Sequence, residues 1–118
     1  MIFLDTCILI DYLRETIKIS EEEKSQYCIN SVVQMEIIIG ARDKRELSKI
    51  NRQLSKYQIV DIDQDVLNLS TILINEYALS HNMTIYDAII AATCMVYDLP
   101  LWTHNKKDFR YLNDLDLK

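Results

Sequence analysis

The sequence predicts an α/β fold, a central parallel sheet covered by helices on both faces to give three α/β/α layers. Short runs that read as strands alternate with longer segments of helical periodicity, the pattern of parallel crossover units. One helical segment, "IYDAIIAATCMVYD" at 85–98, is apolar around most of its circumference and is expected at the centre of the fold. Repeats, low-complexity tracts and linkers are absent, and there is one glycine (Gly40) and one proline (Pro100). The 118 residues are therefore read as a single domain, 1–118, long enough to bury a real core.

The elements follow in order. Ile2 to Leu4 read as a short buried strand. Thr6 is expected to cap a helix through Ile8, Leu9 and Leu13, which fall at helical spacing. The charged run "SEEEKSQ" is a surface loop or a helix start, and "YCIN" is a second strand. Ser31 with Gln34 makes an S-x-x-Q capping box opening a helix over "VVQMEIIIGA", and a basic helix runs from about Asp43 to Leu54. "QIVDID" is a third strand and "QDVLNLSTILINEYALSHN" a long amphipathic helix. Thr84 with Asp87 starts the central apolar helix, and Pro100 introduces a last strand, "LWT".

Composition removes several function classes. With 49% hydrophobic and 26% charged residues, wholesale disorder is excluded. No apolar run reaches the ~18 residues of a membrane helix, and Met1 leads straight into strand-like sequence without a signal peptide's regions. Cys7, Cys28 and Cys94 are widely spaced and lack a C-x-x-C pair, as reduced core cysteines of a cytoplasmic protein would. The net charge of −5 argues against indiscriminate binding to polyanions. Yet Arg42, Lys44, Arg45, Lys49, Arg52 and Lys56 are six of the 13 basic residues. They form either a solvated helix face, with Asp43 and Glu46, or a phosphate-facing patch.

Carboxylates in apolar surroundings are costly unless paired, hydrogen-bonded or bound to a cation, and four stretches raise that question. Asp5 follows the first strand, at the end of the sheet where ligand crevices form, though Asp there also caps helices. Glu36 is flanked by Met35 and Ile37 to Ile39, which puts its carboxylate on or near an apolar face. Asp87 occupies the first turn of the central helix, where it also suits the helix dipole. Ala88, Ala91 and Ala92 make one side of that helix small enough to pack close to the sheet. The last strand runs into Thr103, Asn105 and Asp108. Such oxygen donors suit a hard cation, Mg²⁺ or Mn²⁺. His104 is read as a loop residue beside this group, and His81 as a cation favourable at a helix end.

The segments "IFLDTCILIDYL", "INSVVQMEIIIGA" and "TIYDAIIAATCMVYDLPLWTHNKKDF", with the spacing between them, resemble the PIN domain, and within it the small VapC-type toxins. The resemblance covers nearly the whole chain. It implies a PIN-like three-layer fold and a Mg²⁺- or Mn²⁺-dependent endoribonuclease. It assigns Asp5, Glu36 and Asp87 as catalytic metal ligands converging on a single ion, completed by Asn105 or Asp108, with Thr6 and Thr103 as nearby hydroxyls. Asp11 matches a frequent family residue but is not taken as a ligand. The resemblance further implies an RNA substrate, a homodimer and a small VapB-like antitoxin able to place a cation among the acids. Cys7 stands where many members have Asn, and Asn105 lowers the site's negative charge. A haloacid-dehalogenase-type phosphatase would need a second aspartate where Cys7 stands, and the dinucleotide fingerprint needs more than one glycine. The stronger alternative is a catalytically degenerate PIN domain serving as a protein- or RNA-binding module.

Overall fold

Ile2, Phe3 and Leu4 pass from the surface into full burial and form β1 (Ile2–Leu4), the strand on which the sheet is assembled. In this computed structural model, which describes residues 1–15 and 17–118, β1 pairs in parallel with β2 (Tyr27–Ile29) and β4 (Leu101–Trp102). β3 (Gln58–Ile59) adds outside β2, so the order is β3-β2-β1-β4, all parallel among the described residues. Phe3 lies opposite both Cys28 and Leu101. Parallel neighbours need crossovers, and the helices supply them: α1 (Thr6–Leu13), α2 (Ser31–Ile39), α3 (Lys44–Leu54), α4 (Gln64–His81) and α5 (Ile85–Tyr97). The outer side of β4 is closed by a parallel bridge between Leu101 and Leu117.

Two caps differ from expectation by one residue. Asp5, not Thr6, caps α1, and Asn30, not Ser31, caps α2, so the Ser31–Gln34 capping box is not used. The reason is where each strand stops. Asp5 and Asn30 are the first residues past β1 and β2 and keep extended backbone, the geometry of a cap, while the hydroxyl residues behind them are already helical. Asn30 does more than cap. Its Oδ1 accepts from the Val33 N–H at 3.0 Å, and its Nδ2 donates to the Thr93 hydroxyl at 3.0 Å, tying α2 to α5 inside the core. Asp43 and Thr84 cap α3 and α5 where the sequence places them.

"SEEEKSQ" forms a 3-10 helix at Glu23–Gln26 whose Lys24 is buried. Its ammonium bonds Glu21 at 2.8 Å and Gln53 at 3.2 Å and lies 4.9 Å from the Tyr12 ring centre, the pairing a buried charge requires. α5 is the central helix, with Ala88, Ala91 and Ala92 fully buried. It ends at Asp98 and the preceding α4 ends at Asn82, both with left-handed backbone, so the start and finish of α5 are each pinned by a short polar residue that tolerates that conformation. Cys28 and Cys94 are buried free thiols, and burial pushes Cys28 up to about 11, out of the reactive range.

Replacing Asn30 by Ala should lower unfolding free energy by about 2–3 kcal/mol, from a lost cap and a lost buried hydrogen bond. Asn30→Asp, which keeps the cap but loses the donor to Thr93, should fall between parent and Ala. Guanidinium midpoints at constant slope check this. An Ala variant within error of the parent would remove Asn30 as the α2–α5 tie.

Candidate active site

The carboxyl ends of β1 and β4 bring Asp5 and Thr103 together, and the first turn of α5 adds Tyr86 and Asp87. Asp5 is 4% exposed and is held on both oxygens. Its Oδ1 accepts from the Thr6 N–H at 2.8 Å and from the Tyr86 hydroxyl at 3.0 Å, and its Oδ2 accepts from the Thr103 hydroxyl at 2.8 Å. An ionised carboxylate can only accept, which fixes the direction of the surrounding bonds. Tyr86 gives its proton to Asp5, so the Thr6 hydroxyl bonded to it must donate to Tyr86. Thr103 likewise donates to Asp5 and accepts the Asn105 N–H at 3.0 Å and, from 3.7 Å, the Cys7 thiol. Two hydroxyl relays thus converge on one carboxylate. Burial and the Asp5 charge push the Tyr86 phenol's pKa upward, so it stays a donor.

Asp87 is half-buried and its pKa is raised to about 6, first by desolvation, then by the charges of Asp108 and Asp5. A hydrogen bond from the Thr84 side chain opposes the rise without cancelling it. Asp108 is exposed on a 3-10 helix, Lys106–Asp108. The hydroxyl of Tyr111 is buried without a partner among the described residues, and burial with the charges of Asp87 and Asp108 raises its pKa. His81, expected as no more than a helix-end cation, stacks on the Tyr111 ring at 3.9 Å. Sequence reading missed both tyrosines. Tyr86 adjoins an aspartate already singled out, yet a tyrosine on an apolar helix reads as core.

The structure therefore gathers Asp5, Asp87 and Asp108 into one electrostatic group, with Thr6 and Thr103 bonded into it. Asn105 reaches it through its backbone N–H. Glu36 stands apart in two respects. It is not among the charges acting on Asp87, and it is exposed, as are its neighbours Met35 and Ile39, so the apolar face expected around it is open. It lines a groove of about 920 Å³ together with the basic Arg42, Arg45, Lys49 and Arg52 and the acidic Asp43 and Glu46. Lys44 is exposed outside that groove, and Lys56 turns away to Glu21 at 3.1 Å. His104 is no free loop residue: its Nε2 is 2.6 Å from Asp11 Oδ2, and its backbone N–H donates to Cys7 Sγ at 3.4 Å.

The donors suit a hard cation. All are oxygens, Asp5 retains one acceptor direction on Oδ2, and the raised pKa of Asp87 reports negative charge that a cation would offset. Among the described residues, no three His, Cys, Asp or Glu side chains stand close enough to hold one ion.

The PIN domain family model matches residues 2–115. Ribonuclease VapC1 of Methanocaldococcus jannaschii is 32% identical over 119 residues, covering 99% of this chain and 85% of that protein. Ribonuclease VapC of Rickettsia bellii is 28% identical over 127 residues, covering 98% and 93%. Among solved structures, a toxin–antitoxin complex from Klebsiella pneumoniae superposes with a TM-score of 0.77 at 29% identity, covering 98% of this chain and 95% of that one. VapBC2 from Rickettsia felis, bound to a DNA fragment from its promoter, gives 0.80 at 23% identity, covering 100% and 98%, and supports the fold.

A carboxyl whose folded pKa is about 6, above its unfolded value of about 3.9, binds its proton more tightly in the native state. Its destabilising effect is absent below the unfolded value and grows as pH rises through the folded one. In EDTA, the melting temperatures of parent and Asp87→Asn should therefore diverge between about pH 4 and 6.5, with the parent falling below the variant. Screening at this half-exposed group limits the gap to about 1 kcal/mol. Parallel curves would show that the acids do not act on Asp87.

Proposed function

The chain belongs to the PIN domain family, and we propose that it is a divalent-metal-dependent endoribonuclease, the toxin of a VapBC-type toxin–antitoxin pair. The observation that carries this is the buried, hydrogen-bonded Asp5 at the carboxyl end of β1 with Asp87 in the adjoining first turn of α5, where burial and the charges of Asp108 and Asp5 raise the Asp87 pKa. Carboxylates forced together in this way are a site waiting for positive charge. Asp5 and Asp87 are the residues proposed to hold Mg²⁺ or Mn²⁺, with Asp108 completing the set and Asn105 the alternative. Such an ion, when bound, supplies an activated water and charge stabilisation at a phosphate.

The chain's own part is positioning. Thr6, Tyr86 and Thr103 hold Asp5 still, so the acid needs no reorganisation when substrate arrives. Glu36 and the Arg42, Arg45, Lys49 and Arg52 wall offer an RNA backbone a cationic track leading from an acidic entrance, with Lys44 on its outer side. The basic wall would equally suit an acidic segment of an antitoxin, the kind of partner present in the similar toxin–antitoxin complex from Klebsiella pneumoniae. Exposed Met35 and Ile39 on α2, with Ile72 and Leu79 on α4, are apolar surface suited to a VapB-like antitoxin and a second copy in a homodimer. No helix among the described residues is long and apolar enough to cross a membrane. The three free cysteines suit a reducing compartment such as the cytoplasm.

A mixed RNA pool should be cleaved with Mn²⁺ or Mg²⁺ and left whole in EDTA. Asp87→Asn keeps the shape and the Thr84 cap but not the charge, and cleavage should fall about a hundredfold or more while the metal-free fold melts no lower. An undiminished rate would remove Asp87 from the site, and RNA binding without cleavage by the parent would select the degenerate binding module. Arg45→Ala with Arg52→Ala should raise KM and leave kcat near the parent's. Each lost phosphate contact should flatten the salt dependence of binding by about 0.7–1 in the log–log slope. An unchanged slope would exclude this wall from RNA contact.

A further inference from the structure

We propose that the Tyr86 hydroxyl confines Asp5 to one-oxygen coordination through Oδ2, and so makes the site select a small octahedral cation over calcium. The proposal rests on the metal-dependent reading above and goes beyond it by assigning selectivity to a residue that holds no metal itself. A carboxylate has about four acceptor directions, two on each oxygen. On Asp5, Oδ1 has both filled, by the Thr6 N–H at 2.8 Å and the Tyr86 hydroxyl at 3.0 Å. Oδ2 has one filled, by Thr103 at 2.8 Å, and among the described residues one open. The other hydroxyl beside Tyr86 is that of Thr6, which can donate to Tyr86 while Tyr86 donates to Asp5. Asp5 is 4% exposed, so water does not loosen these bonds.

Calcium is bound by six to eight oxygens at about 2.3–2.6 Å and readily takes a carboxylate by both oxygens. Magnesium needs near-ideal octahedral geometry at about 2.0–2.1 Å, keeps several waters, and takes one oxygen per carboxylate. An Asp5 with one open direction serves the second mode and denies the first. Tyr86 is the removable part of this restriction, since the Thr6 N–H belongs to the backbone. Tyr86 thus acts as a positioning residue.

The test is calorimetric titration of the full chain with MgCl₂, MnCl₂ and CaCl₂, for parent, Tyr86→Phe and Tyr97→Phe. Phe keeps the ring and frees one direction on Oδ1. The ratio of calcium to magnesium affinity should rise about tenfold or more, the scale on which groups behind metal ligands act. Tyr97→Phe deletes the same group from the far end of α5, where it bonds the Asp61 carbonyl at 3.0 Å and Asp63 at 2.9 Å. That control should lower the melting temperature and leave the ratio unchanged. Melting in EDTA confirms that Tyr86→Phe is folded. A parent that binds cations together with an unchanged ratio in Tyr86→Phe overturns this proposal alone. A parent that binds none of the three cations overturns the functional reading and this proposal with it.

Discussion

A carboxylate buried at the end of the central strand survives only because three neighbouring groups are arranged around it. Asp5 caps α1, takes the Tyr86 hydroxyl from α5 and takes Thr103 from the end of β4. Those three bonds join the first strand, the central helix and the last strand at one point, so the path of the chain and the geometry of the site are the same constraint. The desolvation of Asp5 is offset by these bonds, whereas Asp87 lacks as full a set and shows the strain as a raised pKa.

How much of this the sequence revealed depends on whether the signal was local. The alternation of strands and helices, the central position of 85–98, the start of the basic helix near Asp43 and the helix start at Thr84 were legible, because periodicity and capping are set by residues a few positions apart. The caps of α1 and α2 were misplaced by one residue because Asp5–Thr6 and Asn30–Ser31 each offer two competent capping side chains. The choice is made by where β1 and β2 stop pairing, which is a long-range property. Glu36 was expected on an apolar face since its neighbours are apolar, but Met35 and Ile39 are themselves exposed. Tyr86, Tyr111 and the His104–Asp11 pair were invisible for the same reason: each depends on a partner distant in the chain.

The charges divide by position in a way the net value hides. Asp108 and Asp5 act on Asp87, while the arginines and lysine of the groove line it together with Glu36, Asp43 and Glu46. Arg42 is spent in part on Glu46, at 2.9 Å, which leaves Arg45, Lys49 and Arg52 as the less committed cations of that wall. A polyanion approaching an acidic protein would therefore meet a locally favourable field at the groove, and the like-charged acids would oppose it until neutralised.

The sheet's margins also have a bearing on aggregation. An open strand edge is a template on which foreign backbone can pair. Here β3 offers two residues at one margin, and the segment around Leu117 covers β4 at the other, with Leu101 donating to the Asp116 carbonyl and accepting from the Lys118 N–H. Indiscriminate, backbone-driven polymerisation finds little purchase on such a sheet. Association is left to side chains on the helices, Met35, Ile39, Ile72 and Leu79 among them, where recognition depends on a partner's shape. A protein built this way can be sticky toward chosen partners and inert toward chance ones.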